Sequence, residues 1–263
     1  MKICVFGNSH IAALHLGWKQ VAAEFPEVEI RFFGSANAEM ADVSFESGAL
    51  IATTEAVAAD MMRTGGADRI TLADYDLLVI VGCRIGIKGC FQLVRPARLH
   101  SAEARDGQNN QRAAGTLISR RFLHGVIEDM VRKSRVRYFV DSISEGTRLP
   151  IVFIATPFPS AHAMEEPQNR RLGRATQDGW GAAFVETFWS ALDSGLGGNA
   201  RVFPQPPETI VHQLFTLQAY SLVRKGVDAD NQAVEIIDDV HMNAGYGALV
   251  MKRLLDDVIG NGR

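Results

Sequence analysis

Apolar positions along the chain follow two periods. Ile3 to Phe6 are continuously apolar and end at Gly7, the pattern of a strand covered on both faces. From Ile11 through Leu14, Trp18, Val21 and Phe25 the apolar residues recur at helical spacing, until Pro26 ends the pattern. Residues 27–33 (EVEIRFF) alternate up to Gly34, so the chain opens as strand, helix, strand. Asp76 to Val81 is a second continuous run, stopping at Gly82, and Ile151 to Ala155, after Pro150, is a third. Short strands are expected at Ala49 to Thr54 and Arg69 to Leu72, around a helix at Glu55 to Arg63 that Gly65 and Gly66 end. Further helices are expected over Leu117 to Val131, Ala182 to Leu196 and Ala244 to Ile259, with a fifth strand at Arg201 to Phe203.

Between these elements the polar stretches carry their own information. Residues 95–115 are polar and poor in large apolar side chains, which reads equally as a plain surface excursion or as a lid. Thr156-Pro157-Phe158-Pro159-Ser160 is a loop stiffened by two prolines beyond the end of a strand, the edge at which doubly wound sheets bind ligands. Pro204, Pro206 and Pro207 form a second rigid loop.

Composition narrows the class. With 263 residues the chain suffices for one large α/β domain, and 47% apolar with 22% charged residues argues against disorder or a fibrous protein. A net charge of -3 gives no electrostatic reason to bind nucleic acid or an anionic membrane, so the expected partner is a small molecule. No run approaches the ~20 apolar residues of a membrane span. MKICVFG passes directly into a strand without a secretory h-region, and Cys4, Cys83 and Cys90 are odd in number and lack zinc spacing. Reduced thiols in the cytoplasm are therefore expected. The remaining histidines, 15, 100, 124, 162 and 212, show no metal-ligand spacing, so no metal and no cofactor are expected.

Two blocks could carry chemistry. In Gly7-Asn8-Ser9-His10 a small residue lets the chain turn off the strand, and Ser9 opens the next helix where backbone N–H groups point outward. Asn and Ser are also favoured helix caps, which explains the same block without chemistry. In Asp238-Asp239-Val240-His241 the acid precedes the histidine by three residues, and a tight turn would let Asp238 reach one ring nitrogen while the other faces outward. A nucleophilic serine needs such a pair, because only a neutral imidazole, oriented by a carboxylate, removes its proton at neutral pH. A solvated acidic turn capping the last helix is the plain alternative.

Taken together, GNSH at 7–10 and DDVH at 238–241 resemble the SGNH, or GDSL-like, hydrolase family, in which a Gly-x-Ser block follows strand one and a D-x-x-H block lies near the C-terminus. The resemblance implies a three-layer α/β/α sandwich on a five-stranded parallel sheet, flavodoxin-like in order, over the whole of 1–263. It implies a serine esterase with Ser9 as nucleophile, His241 as base and Asp238 as its orienting acid. Short-chain acyl or carbohydrate O-acetyl esters are the implied substrates, with hydrolysis and transfer of the acyl group to a sugar hydroxyl both open. The oxyanion would be held by backbone N–H groups of Ser9 and Gly34. The family adds an asparagine after strand three, but here Gly82-Cys83-Arg84-Ile85 has arginine in its place. Arg84 could supply that donor, bind a substrate carboxylate or phosphate, or pair with a surface acid. Asn8 and His10 flank the serine and could touch substrate, while Cys83 reads as a small buried residue.

Two other readings use the same residues. VFGNSHIAA is superficially the glycine-rich turn of a nucleotide-binding fold, with Glu29 as a ribose contact, although Ser9 replaces the glycine that lets a pyrophosphate approach. A non-catalytic relative that binds an anionic ligand through Arg84 is the other.

Overall fold

The computed structural model describes the chain except residues 36–39, 95–97, 100–116, 165, 168, 228–231 and 261–263. The excursion expected at 95–115 lies outside the described residues, apart from Arg98–Leu99, which pairs parallel with Leu117–Ile118.

Five parallel strands form the centre: β1 (Lys2–Gly7), β2 (Glu29–Gly34), β3 (Leu77–Gly82), β4 (Ile151–Ala155) and β5 (Ala200–Val202). Their order is β5-β4-β3-β1-β2, the flavodoxin-like arrangement. Every residue of β3 and β4 is buried, as is all of β1 beyond Lys2, which is why these strands are continuously apolar. The edge strand β2 instead exposes Glu29 and Arg31 before Phe32, Phe33 and Gly34 turn inward.

Side chains alternate across this sheet into two cores. Ile3, Val5, Val79 and Val152 face α1 (Ile11–Val21) and α8 (Ala244–Gly260). Cys4, Phe6, Ile80 and Phe153 face a larger core shared with α2 (Glu55–Gly65), α3 (Ile87–Leu93), α4 (Arg120–Arg132), α5 (Arg135–Gly146), α6 (Arg170–Gln177) and α7 (Gly181–Leu196). The result is a three-layer α/β/α sandwich. Its helices differ in detail from the expected ones. α1 stops at Val21 and passes into a short 3-10 turn at Ala22–Glu24, and α3, α5 and α6 were not expected. Among the described residues, no helix is long and apolar enough to cross a membrane.

The tightest helix contact is between α1 and α8. A Cβ on Gly247 would overlap the Ala13 carbonyl oxygen, and one on Gly17 would overlap the Ala248 amide nitrogen, so glycine is required on both sides of the crossing. This contact positions the site, because α1 begins just after Ser9 and α8 just after His241.

Outside the central sheet, Val43–Glu46, Ala49–Ala52 and Arg69–Thr71 make a small antiparallel sheet. A long hairpin, β6 (Ser221–Val227) with β7 (Ala233–Met242), leads into α8. The D-x-x-H block therefore lies within a strand, not in the turn expected before the last helix. The ladder pairs Val223 with Ile237 and then Ser221 with Met242, so residues 238–241 bulge out opposite Leu222.

Candidate active site

The carboxyl edge of the sheet brings Gly7 beside Gly34 on one side and Val81 on the other. A Cβ on Gly7 would overlap the Val81 carbonyl oxygen, so only glycine lets β1 end this close to β3. Asn8 is buried in the turn that follows, and its Oδ1 accepts the His10 N–H at 3.3 Å. This bond closes a local turn before α1, which has no side-chain cap. The Ser9 hydroxyl leaves its own helix uncapped and points across the cleft.

There, Ser9 Oγ lies 3.0 Å from His241 Nε2, across a sequence separation of 232 residues. His241 Nδ1 lies 3.0 Å from Asp238 Oδ2. The bulge supplies the rest locally: Asp238 Oδ1 accepts the backbone N–H groups of Val240 at 2.9 Å and His241 at 2.8 Å. Burial opposes ionisation of Asp238, but the His241 and Val240 amides, with the His241 ring, outweigh it and hold the carboxyl below its ordinary range. An ionised Asp238 fixes the proton of the neutral imidazole on Nδ1 and leaves Nε2 as the acceptor facing Ser9. Arg224, on the opposing strand of the hairpin, adds an ion pair to Asp238 Oδ2 at 2.7 Å.

The side chain of His10 stacks on His241, with ring centroids 5.3 Å apart and planes at 28°. Burial, and then the like charge of His241, push His10 down to about 4 against the opposing pull of Asp238. It is therefore a neutral ring at physiological pH, unable to act as a second imidazolium.

These groups open onto a cleft of about 460 Å³. Asn8, Ser9, His10, Arg84 and His241 all line it, so the structure brings together most of the residues singled out in the sequence. The proline-stiffened loop contributes Thr156, Pro157 and Pro159 to the wall, as its place beyond a strand implied. Lys88 and Asp239 also line the cleft and Arg224 stands behind Asp238, three charged residues that the sequence reading did not single out. Lys88 had a local signal, four residues after Arg84 in the first turn of α3. Arg224 had none, since only hairpin register places it beside a residue fourteen positions away.

Two expected roles fail on geometry. The Gly34 N–H donates to Thr64 Oγ1 at 2.9 Å and is thus turned from the cleft, so Gly34 is not an oxyanion donor in this arrangement. Among the described residues, by contrast, the Ser9 N–H has no acceptor. Glu29, the candidate ribose contact, pairs with Lys2 at the amino end of β2. That is five residues from the carboxyl edge, or roughly 16 Å at the rise of a strand, too far to share a ligand with Ser9.

After β3 the backbone turns left-handed. Gly82, Cys83 and Arg84 have φ of 78°, 49° and 60°, and the Ile85 N–H donates to the Gly82 carbonyl at 3.1 Å. Asn8 packs so closely on Gly82 that a Cβ there would overlap its side-chain oxygen. Cys83 and Arg84 hold this conformation without being glycine, at a cost of roughly 1 kcal/mol or more each. Cys83 is buried and its thiol is pushed up to about 12, so it is no nucleophile. Arg84 projects outward on the cleft wall.

No family model matches the sequence, and no curated protein matches it significantly. Among solved structures, a water-forming NADH oxidase from Lactobacillus brevis bound to NADH is similar at 13% identity and a TM-score of 0.14, over 92% of this chain and 52% of that one. The chain thus spans about half the length of that protein, and a likeness so slight carries no inference about fold or chemistry.

Proposed function

We propose that this protein is a serine esterase or acyltransferase of the SGNH type, acting on a small ester through Ser9, His241 and Asp238. One observation carries the reading: an unbroken Ser9 Oγ to His241 Nε2 to Asp238 Oδ2 chain, with both steps 3.0 Å, opening onto a cleft of small-molecule size. A helix cap alone would leave the Ser9 hydroxyl on its own backbone amides.

In this mechanism His241 Nε2 takes the Ser9 proton as Oγ adds to the ester carbonyl. Asp238 stabilises the resulting imidazolium without taking the proton. The Ser9 N–H, at the start of α1, faces the negative charge that develops on the carbonyl oxygen. The imidazolium then protonates the departing alkoxide, leaving an acyl group on Ser9. A water molecule or an acceptor hydroxyl, deprotonated in turn by His241, releases the acyl group. Short acyl esters, including carbohydrate O-acetyl esters, fit the size of the cleft.

A fluorophosphonate probe tests this directly. Labelling mapped to Ser9 and lost in both Ser9→Ala and His241→Ala, together with turnover of p-nitrophenyl acetate, is the expected result. A folded wild-type protein that neither labels nor turns over any short-chain ester would overturn the proposal.

A further inference from the structure

The cleft has a basic wall that acyl transfer does not use. Among the described residues lining it, Arg84 and Lys88 are the two permanent cations and Asp239 is the one carboxylate. Lys88 Nζ lies 3.8 Å from Asp239 Oδ2, so Lys88 is drawn toward the bulge that carries His241. Arg84 is held by the left-handed turn after β3. Glycine would adopt that turn without strain, and an arginine there keeps a charge at the rim of the cleft at a cost to the backbone. Much of the remaining lining is apolar, including Ile87, Pro157, Pro159 and Val240, and such walls concentrate the field of a charge placed among them. A guanidinium has five N–H donors in a fixed fork, so it can take two oxygens of an anion alongside any other bond it makes.

We infer that this cleft takes esters bearing an anionic group, a carboxylate or a phosphate, which Arg84 grips by its fork. The inference names a substrate class for the proposed esterase, and its catalytic test rests on that reading. The binding it describes does not require turnover.

The test compares kcat/KM for 4-acetoxybenzoate with that for its neutral methyl ester, in wild type, Arg84→Gln and Arg84→Gly. Lys133→Gln, 74% exposed beyond the end of α4, controls for the change in net charge. Wild type should prefer the acid. Both Arg84 variants should lower the acid-to-ester ratio by about tenfold, the worth of a charge-assisted hydrogen bond, while Lys133→Gln leaves the ratio alone. Arg84→Gly also relaxes the turn, so it remains informative if Arg84→Gln folds poorly. Running 4-acetoxyphenyl phosphate in parallel identifies which anion Arg84 prefers. A wild type with no preference for either anion, or an Arg84 variant that loses acid and methyl ester equally, overturns the inference. Should Ser9 fail to label, binding of 4-acetoxybenzoate to Ser9→Ala by calorimetry decides alone. Binding weakened by Arg84→Gln upholds the inference, and binding equalled by the methyl ester rejects it.

Discussion

Around Ser9 the backbone is enclosed: Gly7 has no room for a side chain against Val81, Asn8 is buried against Gly82, and α1 is pressed onto α8 through Gly17 and Gly247. Around His241 the backbone is half-exposed, and the bulge is held by its own carboxylate, which accepts two amides from within four residues, and by the Ser160 N–H, which donates to the Asp239 carbonyl at 2.9 Å. One side of the candidate triad is placed by the whole core and the other by a few hydrogen bonds and an ion pair at the surface. Damage to the bulge should therefore reach the chemistry and spare the fold, whereas damage to the helix crossing should reach both.

Asp238→Asn is the sharpest way to test that separation. The variant keeps an oxygen for the bulge amides but no longer fixes the His241 tautomer, so ester turnover should fall by roughly 10³–10⁴-fold. The urea midpoint should scarcely move, and a large loss of stability would contradict local support. Gly247→Ala makes the opposite cut. A methyl group against the Ala13 carbonyl should cost roughly 1–3 kcal/mol in urea denaturation and slow fluorophosphonate labelling as well. An unchanged midpoint would mean that the crossing is looser than described.

His10 sits between the two regions and gives the third test. Its pKa is about 4 in the folded protein, against an ordinary value of 6.5. Between those values the unfolded chain binds a proton that the folded chain does not, so the stabilisation is whole above about pH 6.5 and fades as pH falls toward 4. His10→Gln should therefore lose roughly 1–2 kcal/mol less than wild type between pH 7 and pH 5 in chemical denaturation. Parallel losses in the two proteins would show that His10 titrates normally. The smallest effect belongs to Arg224, whose side chain is 57% exposed and thus screened. Arg224→Met should lower kcat/KM by about two- to fivefold at low ionic strength, or roughly 0.5–1 kcal/mol, and the deficit should shrink in added salt. A salt-independent deficit would point to packing instead of charge.

The same contrast explains what could be read from the chain alone. β1, β3 and β4 are buried on both faces, so their positions stand out as unbroken apolar runs, and Ser9 is located by the run before it. The hairpin is largely exposed on both faces, and Arg224, Lys225, Glu235 and Asp239 interrupt any alternation. Asp238-x-x-His241 could be recognised as a pair but was expected in a turn, because nothing around it reads as a strand. Helix α5 shows its period plainly at Val136, Phe139, Val140 and Ile143, yet it was not among the expected elements. At Gly34 the local signal is only that a strand ends. Whether its N–H serves the cleft or Thr64 depends on α2, thirty residues away.

The crossing of α1 on α8 also sets an order of events during synthesis. Ser9 emerges from the ribosome early, but His241, which its hydroxyl meets, and the helix that clamps its own helix follow more than two hundred residues later. Until α8 is made, Ile11 and Leu14 lack the Val250 and Leu254 side of their shared core, and the serine is an ordinary alcohol without a proton acceptor. On the proposed function, a nascent or truncated chain that lacks His241 is chemically silent, and activity requires residues more than two hundred positions apart to meet.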